Sequence, residues 1–429
     1  MNVNRTFELG IEYSKKLDLQ DPLRNVRERF YVRQGNIYVD GNSLGLCSKD
    51  AEQEILRALA DWKNSGIDIW SIEDSKYFYY PARIGAMMAT LVGADANEVT
   101  TTGSTTANIH QCIATFYHPT RERYKILVDE LNFPTDRYAI DSMVRIKCYD
   151  PADAIKVVTS NDGRTICEDD VVFAMTDDVA LVLLPAVFYR SAQLMDMQRI
   201  TDEARVRGII IGWDLCHSIG SVQHDFKKLD TDFAVWCTYK YLSGGPGAVA
   251  GLYINKKHFD KVPGLAGWFG NVKETQFQLK HRHEHSRDAD GWLTGTPHIL
   301  SMAGIKGALE IYCDVGMEKI REKSLNITAY LMYLIDQRLV KYGYNIGNPR
   351  EDNKRGGHVS LEHSEAYRIS KALKTHNVTP DFREPNVVRL APVALYVSYE
   401  EIHKLVDILE QISVEKEYEA FSNARTLVV

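Results

Sequence analysis

Two short apolar segments, residues 208–213 and 233–237, each lead into residues with chemically useful side chains. Asp214 directly follows the first segment, and Tyr239 and Lys240 follow the second after one residue. Short, continuous apolar segments are typical of buried parallel strands. Ligands of open α/β sheets bind at the carboxyl ends of such strands. The two segments therefore predict an acid and an amine at the same edge of a sheet.

This pair of side chains suits pyridoxal phosphate. The aldehyde of that cofactor forms a Schiff base with a lysine, and its ring nitrogen stays protonated beside an acid. Taken singly, Asp214 has the alternative of capping a helix, and Lys240 that of a solvated lysine in a turn. Their joint occurrence, with Tyr239 before the lysine and a glycine-rich run at residues 243–247, favours the cofactor site.

Other segments repeat the pattern of a strand followed by a helix. Residues 98–102, 125–128 and 179–187 predict strands, and helices are expected over residues 103–117 and 194–206. This alternation predicts a parallel sheet with right-handed crossovers. The hydroxyls and amides of residues 103–108 lie at a helix N-terminus, which is a favourable place for an anion such as a phosphate. An ordinary Ser/Thr helix cap is the alternative there.

The pattern changes after residue 298, where long helical periodicities begin. They predict helices over residues 299–315, 317–342 and 399–411, while residues 6–20 and 48–65 predict helices near the N-terminus. At 429 residues the chain exceeds the usual size of one domain. We therefore expect a large domain over residues 36–298 and a smaller one built from residues 1–35 and 299–429.

Arg389 lies inside an apolar segment, residues 386–392, of this second domain. A buried arginine requires an anionic partner, because an unpaired charge is costly away from water. From the residues alone, both an acid of the protein and a carboxylate of a substrate remain open as that partner.

Bulk properties exclude several classes of function. A net charge of -7 and a pI near 6.0 argue against a nucleic-acid-binding surface, which needs a basic footprint. Seven cysteines without a Cys-x-x-Cys pair predict neither a disulfide framework nor a zinc site. His281, His283 and His285 alternate in a polar segment without ligand-like partners, so no metal is expected.

We expect a cytoplasmic protein with no membrane partner. A reducing compartment suits the cysteines. The N-terminus lacks the continuous apolar core of a signal peptide. The longest apolar segment, residues 179–188, contains Pro185 and is too short to cross a bilayer.

Seven blocks, in the same order along the chain, closely resemble those of the kynureninases. They are residues 40–45, 132–136, 213–218, 239–247, 265–270, 295–297 and 389–392. The resemblance implies the fold of pyridoxal phosphate-dependent transferases of fold type I. In that fold a large α/β/α domain surrounds a mainly parallel sheet and a smaller α+β domain follows. It also implies a homodimer with shared active sites.

The resemblance further implies the site residues. Lys240, Asp214 and Tyr239 would be catalytic, and Arg389, Asn42 and Ser43 would bind the amino-acid substrate. Pyridoxal 5'-phosphate would contact Thr105, Thr106, Phe133, Pro134, Thr135, Asp136, Asp214, His217, Tyr239, Lys240, Trp268 and Thr296. Trp268 and Thr296 would reach the cofactor of the neighbouring subunit. Pro185 departs from the pattern, because the family carries a small hydroxyl residue there.

The implied reaction is hydrolysis of the Cβ–Cγ bond of L-kynurenine or 3-hydroxykynurenine. Its products are anthranilate or 3-hydroxyanthranilate, together with L-alanine. Lys240 would remove the α-proton, while Tyr239 has two possible roles, binding phosphate or transferring a proton. The reaction belongs to tryptophan catabolism by the kynurenine pathway, which also feeds NAD biosynthesis.

Two other functions are compatible with the same fold. A cysteine desulfurase needs a mobile nucleophilic cysteine, whereas Cys313 falls in a helical pattern. A non-catalytic protein could keep the fold for binding alone, but retention of Lys240, Asp214 and Arg389 together speaks against it.

Overall fold

The structure, a computed structural model, describes residues 5–424. Its strands are β1 (Ile37–Tyr38), β2 (Val99–Thr101), β3 (Lys125–Asp129), β4 (Ile155–Val158), β5 (Val179–Pro185), β6 (Ile210–Asp214), β7 (Phe233–Trp236), β8 (Gly251–Ile254), β9 (Asn345–Ile346), β10 (Val359–Glu362), β11 (Val378–Thr379), β12 (Asp381–Arg383) and β13 (Val387–Leu390).

The α-helices alternate with these strands in the first part of the chain and dominate the second. They are α1 (Ile11–Gln20), α2 (Lys49–Ser65), α3 (Ile72–Ser75), α4 (Tyr80–Val92), α5 (Thr105–Phe116), α6 (Pro134–Ile146), α7 (Pro151–Ala154), α8 (Glu168–Ala174), α9 (Met197–Val206), α10 (Phe226–Leu229), α11 (Lys273–Gln276), α12 (Ile299–Val315), α13 (Met317–Arg338), α14 (Ala366–Thr375) and α15 (Tyr399–Val414).

Seven strands form the central sheet, in the order β2-β8-β7-β6-β5-β3-β4. The neighbours from β7 to β4 are parallel, and β8 runs antiparallel to both β7 and β2. The prediction of a mainly parallel sheet is confirmed. The reversal of β8 was not predicted, and it follows from its connection. Residues 237–250 contain no helix that could cross the sheet, so the chain returns beside β7 in the opposite direction.

Alternate residues of β5 face two different layers of helices. Leu181 and Leu183 pack in one apolar cluster with residues of α5 and α6. Val182 and Leu184 pack in the other, which includes residues of α4 and α9. Because side chains of a strand alternate between faces, a continuous apolar segment is what a sheet covered on both sides requires.

The C-terminal part contains a smaller antiparallel sheet in the order β12-β13-β10-β9. Near the N-terminus, β1 pairs in parallel with β11 of this part. The division into domains at residues 35/36 and 298/299 stays a prediction. Within residues 5–424, no helix has the length and apolar character that crossing a bilayer demands.

Most predicted helices are present with shifted ends. The helix expected from residue 6 begins at Ile11, because Gly10 precedes it with φ of 109°, outside the helical region. The helix expected from residue 194 begins at Met197, because Leu194 forms an antiparallel bridge with Val187. The long helix expected to reach residue 342 ends at Arg338 and is followed by a short 3-10 turn.

Candidate active site

One cavity of about 340 Å³ gathers residues from across the chain. It lies beyond the carboxyl ends of β6 and β7, and β12 and β13 also contribute to its wall. Twelve of the predicted site residues line it: Asn42, Ser43, Thr105, Thr106, Phe133, Thr135, Asp136, Asp214, His217, Tyr239, Lys240 and Arg389. The structure therefore brings together side chains that are up to about 350 residues apart in sequence.

Asp214 ends β6 and is 5% exposed. The backbone N–H of Cys216 donates a hydrogen bond of 2.7 Å to its Oδ1. Burial raises the pKa of this carboxyl, and the hydrogen bond from Cys216 opposes that effect. A cation beside the carboxylate favours its ionised form. The position thus suits a partner such as a protonated pyridine nitrogen.

Lys240 lies four residues beyond the end of β7, in the turn after Tyr239. Its Nζ is 2.8 Å from Nε2 of His217 and 5.9 Å from the centre of the Phe133 ring. Burial and the positive charge of Lys240 lower the pKa of His217. The imidazole is therefore neutral, and we assign Nε2 as the acceptor of a hydrogen bond from Nζ. His217 thus holds the amine in place.

A glycine-dependent contact fixes the backbone around Lys240. The N–H of Gly45 donates a hydrogen bond of 2.8 Å to the carbonyl of Tyr239. A Cβ on Gly45 would lie 2.3 Å from the carbonyl oxygen of Lys240. Only glycine permits such an approach. The block at residues 40–45 is thus coupled to the lysine turn through the main chain.

The first turn of α5 provides an anion site within the same cavity. Ser104 is the N-cap and accepts a hydrogen bond from Ala107 N, and Thr105 and Thr106 follow it on the cavity wall. The hydroxyls of Thr106 and Thr135 are 2.6 Å apart. Free N–H groups and hydroxyls at a helix N-terminus favour a phosphate. Burial raises the pKa of Tyr239, so its phenol remains a hydrogen-bond donor beside this site.

Several buried polar atoms around the cavity lack a partner within the described residues. They include Oδ1 of Asp136, both amide atoms of Asn42 and Nδ1 of His217. Asn132 donates to the other oxygen of Asp136 at 2.7 Å, while burial and the nearby Asp214 raise the pKa of Asp136. Buried polar groups are nearly always hydrogen-bonded, so these atoms indicate that the cavity receives a polar ligand. A charged aldehyde cofactor with a phosphate fits this set.

Arg389 is 1% exposed and contacts three separate segments of the chain. Its Nη1 donates to the carbonyl of Tyr189 at 2.7 Å, and its Nη2 donates to the hydroxyl of Ser43 at 3.0 Å. Its Nε donates to the carboxylate of Asp381. Burial lowers the pKa of Arg389, and Asp381 opposes that effect. The sequence left open whether Arg389 pairs with an acid of the protein or with a substrate carboxylate. Both are compatible, because the arginine pairs with Asp381 and also lines the cavity.

Three of the predicted residues do not line this cavity. Pro134 is the first residue of α6, directly after Phe133. Trp268 is 45% exposed and lines a separate surface groove, and Thr296 is exposed. The contact of Trp268 and Thr296 with a neighbouring subunit's cofactor stays a prediction.

Ten residues of the cavity wall were not among the predicted site residues, and two of these missed residues have side chains close to Arg389 or to its partner Asp381. The ring of Tyr189 is 5.5 Å from that of Phe133 and 6.0 Å from the guanidinium carbon of Arg389. It lies four residues beyond the end of β5, so the rule that strand ends carry ligand contacts would have indicated it. Arg383, on β12, is the second missed residue.

Other sequence features lie outside the cavity. Cys313 is exposed on α12, and Pro185 pairs with Asp214 at the end of β5 without appearing on the cavity wall. Across residues 5–424, no group of three His, Cys, Asp or Glu side chains is arranged to hold a metal ion.

Comparison with solved structures defines the class of the fold. A cysteine desulfurase from Thermococcus onnurineus NA1 superimposes with a TM-score of 0.77 at 17% identity, over 91% of this chain and 98% of that one. A C-DES mutant with glycine covalently linked to its PLP cofactor gives a TM-score of 0.76 at 16% identity, over 90% and 99%. The chain has the fold of pyridoxal phosphate-dependent enzymes of fold type I.

Sequence comparison narrows this class to one family. The family model described as the kynureninase C-terminal domain matches residues 320–409. A kynureninase from Geobacillus thermodenitrificans (strain NG80-2) is 54% identical over 421 residues, which are 98% of this chain and 98% of that protein. The chain belongs to the kynureninase family. The likeness to the cysteine desulfurase above is confined to the fold, at 17% identity.

Proposed function

We propose that this protein hydrolyses the Cβ–Cγ bond of L-kynurenine or 3-hydroxykynurenine. The observation that carries the proposal is one cavity that combines Asp214, Lys240 and Arg389 in a chain 54% identical to a kynureninase. Water is the second substrate, and the products are anthranilate, or its 3-hydroxy form, and L-alanine. This activity lies in tryptophan catabolism through the kynurenine pathway, which also leads toward NAD biosynthesis.

Pyridoxal 5'-phosphate is the cofactor that these residues fit. The start of α5, with Thr105 and Thr106, would hold the phosphate, and Asp214 would hold the protonated ring nitrogen. Phe133 would lie against the ring, and Lys240 would bond the aldehyde carbon. When bound, the cofactor supplies an electron-withdrawing ring that stabilises negative charge at the substrate's α-carbon.

The other predicted cofactor contacts lie beside the residues just named. Asp136 and Thr135 at the start of α6 would bond the cofactor together with His217 and Tyr239. Pro134 would set the first turn of that helix.

Lys240 is the proposed base at the α-carbon. Because His217 accepts a hydrogen bond from Nζ, the amine is aimed at one point in the cavity. General bases act over hydrogen-bond distances, so this aim decides which hydrogen is removed. We assign Tyr239 to the phosphate, since its protonated phenol lines the cavity together with the start of α5.

Arg389 and Ser43 are the proposed contacts for the substrate's α-carboxylate, and Asn42 offers a buried amide beside them. A guanidinium binds a carboxylate through two parallel hydrogen bonds, which fix its orientation. With the α-carboxylate and the α-amino group of the substrate both held, the side-chain ketone is placed for attack by water. Addition of water to the ketone carbon allows the Cβ–Cγ bond to break.

The proposal is tested by anthranilate fluorescence after the cofactor-loaded protein is mixed with L-kynurenine. Alanine should appear in an equal amount. Lys240→Ala should lower the rate by at least about 100-fold, because loss of a general base costs this much or more. Lys227→Ala, a surface lysine paired with Asp95, is the matched control and should keep the native rate.

Two results would overturn parts of this proposal. No anthranilate from native protein that carries the cofactor would remove kynurenine as the substrate. An equal rate in Lys240→Ala would show that the lysine is not the base, while the assignment of kynurenine as the substrate would stand.

A homodimer with shared active sites is the proposed assembly. An apolar surface groove is lined by Ala58, Trp62, Gly66, Ile67, Ile69, Trp70, Ile299 and Leu300. Trp62 is 54% exposed and Ile67 is 79% exposed, which is unusual unless another chain covers them. Since Ile299 and Leu300 closely follow Thr296, a second copy seated here would approach Thr296 too. That arrangement supports the expected role of Trp268 and Thr296 across the interface.

The cytoplasm is the proposed compartment. All seven cysteines lie within the described residues as free thiols, three of them buried. Free thiols persist in a reducing environment.

A further inference from the structure

Strand pairing places two arginines and an acid together beside the substrate end of the cavity. In the antiparallel register of β12 and β13, Asp381 is directly opposite Arg389. Arg383 is two residues further along β12, and residues two apart in a strand share a face. The small antiparallel sheet thus presents all three side chains on one side.

A single carboxylate holds both guanidinium groups. Oδ2 of Asp381 accepts a hydrogen bond from Nε of Arg389 and another, of 2.9 Å, from Nε of Arg383. The side chain of Arg389 is 1% exposed, that of Asp381 14% and that of Arg383 35%. The acid is therefore well shielded from water and orients each planar group through its Nε edge.

The two positive groups line the cavity, and the two neighbouring negative groups do not. Arg383 and Arg389 line the cavity, whereas Asp381 and the neighbouring Asp40 do not. Burial and the charge of Asp381 raise the pKa of Asp40 to about 6, so its own charge weakens in mildly acidic solution. A ligand in the cavity thus meets two cationic side chains, while their carboxylate partners are not part of the cavity wall.

We propose that Arg383 is a second contact for the substrate's α-carboxylate, and that Asp381 is the positioning residue for both arginines. The proposal rests on the amino-acid substrate proposed above and adds a residue to that site. Nη2 of Arg389 already bonds Ser43 and Nη1 bonds Tyr189, so Arg389 brings only part of its donor set to a ligand. Arg383 would donate further hydrogen bonds to the same carboxylate from a second side.

The test compares two ligands that differ in the carboxylate alone. L-Alanine and ethylamine are titrated into the cofactor-loaded protein, and the shift of its visible absorption band gives each Kd. In Arg383→Gln the Kd of L-alanine should rise about 10-fold, as expected for loss of a hydrogen bond between charged groups. The Kd of ethylamine should stay within about twofold.

Further variants separate this role from a structural one. Arg383→Lys, which keeps the charge, should recover part of the L-alanine affinity, and Asp381→Asn should weaken L-alanine more than ethylamine. Arg164→Gln is the matched control, because Arg164 pairs with Glu362 and does not line the cavity. With L-kynurenine, Arg383→Gln should raise KM by a larger factor than it lowers kcat.

The proposal is overturned if Arg383→Gln changes both ligands by the same factor, or neither. Failure of the substrate proposal would look different. The native protein would then discriminate L-alanine from ethylamine without producing anthranilate, and the role of Arg383 toward a carboxylate would still be decided by the two titrations.

Discussion

At the scale of single residues, the site depends on three charged groups that are each held by a neutral or opposite partner. Lys240 bonds a neutral imidazole, Asp214 accepts a backbone N–H, and Arg389 pairs with Asp381. Each partner fixes an orientation without occupying the cavity. The residues are therefore aligned before any ligand arrives, which is the condition for efficient catalysis.

Asp214 offers the sharpest prediction at this scale. In Asp214→Asn the side chain keeps an oxygen for Cys216 N but carries no negative charge. We expect turnover of L-kynurenine to fall by about 100-fold or more, because a fixed charge beside the reacting system is lost. Phosphate binding at α5 should persist, so cofactor content measured after denaturation should stay near one per chain. Native turnover in the variant would contradict the assigned role.

The acid and the lysine that would bind the cofactor could be predicted from the sequence. The side chains that contact these residues in the folded protein could not. Asp214 and Lys240 follow apolar segments at strand ends, where ligand contacts are expected. Arg383 carries no such signal, because its position depends on the register between β12 and β13. The bond between Lys240 and His217 likewise joins two turns whose relative placement no periodicity describes.

At the scale of secondary structure, β6 and β7 pack so closely that they tolerate little added side-chain volume. A Cβ on Gly212 in β6 would lie 2.1 Å from the ring of Phe233 in β7. The rigid ring cannot move aside in a close-packed core. Gly212 thus permits β6, which ends at Asp214, and β7, which leads to Lys240, to lie side by side.

Gly212→Ala should therefore destabilise the protein and disturb the site together. Overpacking a core costs roughly 1–3 kcal/mol, so we expect a lower Tm and a weaker affinity for pyridoxal phosphate. Gly295→Ala is a useful control for Tm, because a Cβ there meets no atom within 4 Å. An unchanged Tm in Gly212→Ala would show that the strands separate easily.

The end of β3 predicts a pH effect on stability. Burial raises the pKa of Asp129 to about 7, whereas an unfolded chain has about 3.9. The folded state thus binds this proton more tightly, and the resulting stability is full below about pH 4 and lost as the pH rises through 7. Asp129→Asn cannot ionise, so its Tm should exceed the native value by a few degrees at pH 8.

The Tm difference of Asp129→Asn should shrink steadily as the pH is lowered from 8 toward 4, as measured by thermal unfolding in a pH series. Asp177→Asn, at an exposed position, should show no such trend. A difference that grows in acid would contradict the assignment.

At the scale of elements, helices and parallel strands were predicted well because their apolar periodicities are local. The direction of β8 was not, since it depends on how the loop at residues 237–250 folds back. Helix ends also shifted where a glycine or a bridge intervened, as at Ile11 and Met197.

At the scale of the whole molecule, the proposed assembly is a homodimer. The groove that contains Trp62 and Ile67 is the proposed interface. Ile67→Glu should place a charge in that interface and shift the protein toward monomer, because charged residues are depleted from interface cores. Sedimentation at micromolar concentration measures this directly.

A matched variant controls for the added charge. Phe173 is 86% exposed and lies outside the groove, so Phe173→Glu should remain dimeric. If the monomeric Ile67→Glu also loses activity, and regains it as the protein concentration rises, the active sites are shared. A fully dimeric Ile67→Glu would place the interface elsewhere.

We conclude that this protein acts on kynurenine and not on cysteine, the substrate of the desulfurases whose fold it shares. The most direct measurement is kcat/KM for L-kynurenine and for L-cysteine on the same cofactor-loaded preparation, following anthranilate and sulfide. We predict that kynurenine is preferred by at least about 100-fold, because only a fitting substrate places its reacting bond correctly. Sulfide release at an equal or higher kcat/KM would contradict the assignment of kynurenine as the substrate.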